Sequence, residues 1–146
     1  MGQHEESEMK FTMYLLVLIC IIGVGLLAFV RFAPSDPARW HMPITETNSR
    51  NMMGGSIRVT EVSEAALARV DAAARALPRT DVLAGSVDDG RVTYVTRSKW
   101  IGFPDYTTIE YSDGLLKMHA RLRFGRSDFG VNRERLERLL VVAQEG

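Results

Sequence analysis

The chemistry this sequence could perform lies mostly in its arginines. Between residues 117 and 138 stand seven cations: Lys117, Arg121, Arg123, Arg126, Arg133, Arg135 and Arg138. Three acids oppose them, Asp128, Glu134 and Glu137, so the stretch is net +4. Residues 61–113 carry six cations against nine acids, net −3, so the charge is polarised along the chain. A guanidinium offers five donors in a planar fork suited to carboxylate and phosphate. Alternation puts Lys117, His119, Arg121 and Arg123 on one face of a strand, and Arg97 is placed to join them from a neighbouring strand. Arg133 and Arg135 fall in the first turn of a helix starting near Asn132, where the helix dipole disfavours cations. Gly125 and Gly130 let the preceding backbone come close to a ligand. Arg97, Arg121, Arg123, Arg133 and Arg135 are therefore the candidate anion-binding set, for a lipid headgroup, a small anion or an acidic partner surface. The competing assignment is internal: Asp105, Asp128 and Asn132 pair with these arginines and lock the loop to the sheet.

An enzymatic alternative, a hydrolase or transferase, would have to use Asp105, Asp128 and His119. Ser127 beside Asp128 lacks the setting of a nucleophile elbow, and His119 lies between Lys117 and Arg121, a cationic setting for a general base. Histidines at 4, 41 and 119 are scattered, and Cys20 is the single cysteine, so no metal site or intrachain disulfide is expected. No cofactor is called for. The chain balances 18 Lys and Arg against 18 Asp and Glu and is 46% apolar. That composition excludes a disordered acidic tail and a histone-like protein, and no nucleic-acid partner is expected.

The elements that must position these residues divide the 146-residue chain into four. Residues 1–10 form a polar tail. Residues 11–32 contain an uncharged run, FTMYLLVLICIIGVGLLAFV, bounded by Lys10 and Arg31. About 20 apolar residues span a bilayer core, so an uncleaved single-pass anchor in the lipid bilayer is expected. The run is longer than a signal-peptide core, and no good cleavage site follows. Gly23 and Gly25 offer a face for a partner helix, which is the reading of a subunit in a membrane complex. Residues 33–56 hold Pro34, Pro37, Pro43 and Gly54-Gly55 and read as an extended linker. Trp40 there either sits at headgroup level or packs on the domain. Cation counts on the two sides of the anchor leave orientation open.

Residues 57–146 read as a small α+β domain of order β-α-β-β-β-β-α. Ser63 is placed to cap a helix with Leu67, Val70, Ala74 and Leu77 on one stripe, closed by Pro78. Asp88-Asp89-Gly90 and Ser112-Asp113-Gly114 signal hairpins. Residues 115–124 alternate most clearly, and a last helix carries Leu136, Leu139, Leu140 and Ala143. Short connections make the sheet antiparallel, four- to five-stranded, with both helices on one face and the other face partly open.

Arg-Trp-His at 39–41, Pro78-Arg79-Thr80, VTYVTRSKWIGFPDY at 92–106 and ARLRFGRSDFGVNRER at 120–135 together resemble the domain-of-unknown-function family numbered 1499. The likeness spans nearly all of residues 36–146. It implies an exported domain on a bacterial inner membrane. It transfers no catalytic residue. The expected protein is thus a single-pass membrane protein whose domain is a non-enzymatic binding or accessory module for an anionic ligand, lipid headgroup or partner protein.

Overall fold

The computed structural model describes residues 2–145, with side chains from residue 4. Two compact units divide at residue 33. The first is a single helix, α1 (Gly2–Phe32), whose apolar side chains are exposed along its length. By length and composition it is sufficient to cross a membrane, or to serve as a signal sequence.

The second unit is α+β. Its elements are α2 (Pro37–Trp40), β1 (Arg50–Met52), β2 (Gly55–Glu61), α3 (Ala65–Arg75), β3 (Thr80–Ser86), β4 (Arg91–Arg97), β5 (Pro104–Ser112), β6 (Leu115–Leu122) and α4 (Val131–Gln144). Six strands form one antiparallel sheet in the order β1-β2-β6-β5-β4-β3. The expected four or five strands lacked β1, three residues of Arg, Asn and Met with no apolar alternation to reveal them. Asp113 and Gly114, with φ of 55° and 77°, close the β5–β6 hairpin in the mirror-image turn that suits strand twist.

Helices α3 and α4 cover one face. Leu67, Val70 and Ala74 meet Leu136, Leu139 and Ala143 over Tyr94, Ile109, Leu116 and Met118. Each large apolar side chain removed from water here contributes roughly 1.5–3 kcal/mol. The buried Tyr94 donates its hydroxyl to Asp71, which also pairs with Arg75 at 2.8 Å. Ser63 does not cap α3 with its side chain; its carbonyl accepts from Ala66 N–H instead.

The opposite face, expected to be partly open, is covered by residues 34–49. This segment was expected to be linker, but it belongs to the folded unit. Asp36 caps α2 by accepting from Ala38 N–H. Trp40 is 8% exposed and stacks on Tyr106, ring centroids 3.9 Å apart, which decides for packing over a headgroup position. His41 shares a hydrogen bond with Thr93 at 2.9 Å, and the buried Ile44 takes Glu110 on its N–H and Lys117 on its carbonyl. Gly85 permits this cover. At φ +79° a Cβ there would lie 2.6 Å from the His41 ring and 2.1 Å from the Arg91 carbonyl oxygen.

Candidate anion-binding groove

The five candidate arginines do not form one site. Strand alternation puts Arg121 and Arg123 on the covered face, where they clamp the 34–49 segment. Arg121 Nη2 donates to the Trp40 carbonyl, and its guanidinium lies 5.3 Å from the centre of the indole ring. Arg123 Nη1 donates to the Pro34 carbonyl at 2.9 Å and to the Tyr106 hydroxyl at 3.1 Å. Arg97 Nη1 donates to the Gly102 carbonyl and shapes the β4–β5 loop. Arg133 is exposed and lines a shallow groove with Met53 and Phe129.

Arg135 lies on the helix-covered side, in the internal cluster read as the competing assignment. Its Nη2 is 3.8 Å from Asp105 Oδ2, and its Nη1 donates to Asn132 Oδ1 at 2.6 Å. Asp128 accepts from the N–H groups of Gly130 at 3.1 Å and Asn132 at 2.9 Å, capping the start of α4. Those bonds hold its carboxyl below the ordinary carboxylate range despite the opposing effect of burial. Burial pushes the Asp105 carboxyl up to about 6, opposed by Arg135 and aided by the charge of Asp128. The acids thus answer two of the problems set by the sequence: Asp128 supplies the dipole partner that Arg133 and Arg135 do not, and Asp105 faces Arg135.

His119 is on the other face of the sheet. Burial, with the Arg121 charge, holds its pKa down to about 4. Asp105 and His119 are therefore separated by the sheet and do not face a common substrate position. Among the described residues no three His, Cys, Asp or Glu side chains gather as a metal site.

Above Arg135 opens a groove of about 190 Å³, lined by Leu77, Pro78, Arg79, Thr96, Val131, Glu134, Arg135 and Arg138. Three arginines line it, Arg79 from the turn before β3 and Arg135 and Arg138 from α4. Arg79 follows Pro78 at the turn into β3 with φ 56°, its Nε donating to the Arg97 carbonyl at 3.0 Å. Arg138 stands one turn of α4 beyond Arg135 and is paired with Glu134. Arg79 and Arg138 were absent from the expected set. The first has no charged neighbour in sequence to mark it, although Pro78-Arg79-Thr80 is one of the resembling blocks. The second needed the helical i, i+3 relation to Arg135 to be weighed as a site rather than as solvated surface. Open to water on one side and backed by Thr96 and Val131, the groove fits a group the size of phosphate or carboxylate.

These features define an α+β domain with an arginine-lined groove, following a long apolar helix. A family model described as "Protein of unknown function (DUF1499)" matches residues 33–141, and the chain belongs to that family. The match includes the segment that covers the sheet. No curated protein matches the chain.

Proposed function

We propose that this protein is a single-pass membrane protein whose domain is a non-enzymatic binding module, taking a small anionic group in the groove of Arg79, Arg135 and Arg138. The anchor is α1: its uncharged run of residues 11–30 matches the roughly 30 Å hydrocarbon core. The family resemblance supports a bacterial inner membrane with the domain on the exported side. The observation that carries the binding reading is that three arginines, Arg79, Arg135 and Arg138, line one open groove of about 190 Å³ with a single acid, Glu134. Arg135 is pre-positioned there by Asn132 and Asp105. Prior fixation of a donor lowers the entropy cost of binding. The separation of His119 from Asp105 favours binding over catalysis.

The test is titration of the full chain in mild detergent with inorganic phosphate and with a soluble phosphomonoester. Arg79→Gln and Arg138→Ala change side chains at the groove's rim and leave the Arg135 cluster intact. A hydrogen bond to a charged group contributes about 1.5–3 kcal/mol, so each change should weaken binding by about ten- to a hundredfold. Affinity unchanged in the double variant would refute the groove as the site.

A further inference from the structure

The two ends of the sheet differ in chemistry. One end gathers the β1–β2 turn, the β4–β5 loop at 98–103 and the β6–α4 loop at 123–130. Arg123 N–H bonds the Pro104 carbonyl, Leu122 N–H bonds the Gly54 carbonyl, and the Phe103 and Phe124 rings lie 6.3 Å apart. This end exposes Met53, Trp100 and Phe129, which are 81%, 84% and 97% accessible. Between them stand the exposed cations Lys99, Arg126 and Arg133. Of the acids at this end, Asp128 is committed to the α4 cap and Asp105 lies opposite Arg135, while Asp81 is exposed at the start of β3. The far end carries the exposed acids Glu61, Glu64, Asp88, Asp89 and Asp113.

Phe129 is held at φ 52°, a left-handed conformation that disfavours bulky side chains, with its N–H on Ser127 Oγ. A strained, exposed aromatic is a mark of a binding surface. The chain also enters the domain at this end. Pro34, two residues after α1, is bonded through its carbonyl to Arg123.

We infer that the Trp100 and Phe129 loops, with Lys99 and Arg126, form a docking surface for the anionic lipid bilayer. The inference rests on the reading of α1 as the anchor. Connectivity supplies the first argument: Pro34, which follows α1 in sequence, is bonded through its carbonyl to Arg123 at this end of the sheet. Composition supplies the second, since Trp favours the headgroup region and cations favour an anionic leaflet. Polarity supplies the third, because the exposed acids Glu61, Glu64, Asp88, Asp89 and Asp113 stand at the opposite end of the sheet. The surface is distinct from the groove residues Arg79 and Arg138 and asks nothing of them.

The experiment uses the full chain in nanodiscs of phosphatidylcholine and phosphatidylglycerol, with acyl chains brominated near the headgroup or unbrominated. Trp40 is buried against Tyr106, so quenching reports chiefly on Trp100. Docking predicts loss of Trp100 emission in the brominated discs. That loss should vanish in Trp100→Phe and shrink in Lys99→Glu/Arg126→Glu, each charge being worth about fivefold in surface affinity. Equal emission in both discs, from a chain that remains in them, would overturn the docking surface and leave the anchor standing. A chain that does not remain in the discs would overturn the anchor reading and this inference with it. Phosphate affinity unaltered in Trp100→Phe would keep the groove reading separate from either result.

Discussion

Replacing His119 with glutamine should unmask an acid response of the domain that the wild type nearly cancels. In the folded protein burial and Arg121 hold the imidazole pKa at about 4, against an ordinary 6.5. Between those values the unfolded chain binds a proton that the folded chain refuses. Stability conferred above pH 6.5 is therefore lost as pH falls towards 4. At about 1.4 kcal/mol per unit the loss reaches about 3 kcal/mol, and partial exposure of the ring brings it nearer 2. Asp105 acts in the opposite sense. Its folded pKa is about 6 against an ordinary 3.8, so the folded chain binds the extra proton and stability rises as pH falls from 6 to 4. That gain is also about 2–3 kcal/mol. The two slopes nearly cancel in the wild type. Guanidinium denaturation of the full chain in detergent, followed by tryptophan emission at pH 4.5, 5.5, 6.5 and 7.5, should expose them separately. His119→Gln should become more stable on acidification, and Asp105→Asn less stable. The groups facing His119 are Arg121, Glu46 and Arg50, and none of them is altered. A stability difference between His119→Gln and wild type that stays constant across this range would refute the neutral, buried imidazole. The same constancy for Asp105→Asn would refute the raised carboxyl.

Three further substitutions test the architecture around the candidate sites. Gly85→Ala places a Cβ 2.1 Å from the Arg91 carbonyl oxygen in a left-handed residue, and should cost roughly 2–4 kcal/mol by denaturant midpoint. Trp40→Ala removes the ring stacked on Tyr106 and should cost about 3–5 kcal/mol, with faster proteolysis of residues 34–49. Asp128→Ala leaves the N–H groups of Gly130 and Asn132 without their carboxylate, and should cost about 1–2 kcal/mol, with amide exchange rising first in the opening turn of α4.

Periodicity revealed the parts of the domain that repeat. The alternation of Leu116, Met118 and Ala120 with Lys117, His119 and Arg121 survives in β6, with the first set under the helices. Leu136, Leu139 and Ala143 are buried as their spacing requires. What could not be read was structure made by single contacts at long sequence separation. Nothing local in Ala-Arg-Trp-His says that Trp40 will find Tyr106, 66 positions later, or that His41 will find Thr93. Prolines 34, 37 and 43 suggested a linker because they exclude long helix and central strand, yet an extended chain laid across a sheet obeys the same restrictions. The site shows the same division. Asp105 and Asp128 were expected as partners for the arginines; Asp105 lies 3.8 Å from Arg135, whereas Asp128 accepts from backbone N–H groups at the start of α4. Arg79 and Arg138 belong to the groove only because β3 begins beside α4, a tertiary fact.

The arginines divide according to what their forks meet. Arg121 and Arg123 point at backbone carbonyls of residues 34–49, that of Trp40 also accepting from the Thr108 hydroxyl of β5. A carbonyl accepts without neutralising, so those guanidinium groups keep their charge while fixing the cover over the sheet. Arg135 meets a carboxylate and an amide, and is held in place. Arg79 gives one donor to the Arg97 carbonyl, and among the described residues Arg138 pairs with the exposed Glu134, a contact worth little in water. An anion arriving in the groove therefore competes with one weak surface pair and gains a pre-positioned guanidinium beneath it. The same accounting explains why Arg121→Ala is a poor probe of ligand binding. It would release the Trp40 carbonyl and loosen the stack on Tyr106, and any loss of affinity would report on the fold. Arg138→Ala removes a rim side chain with no buried partner, so a loss there reports on the ligand.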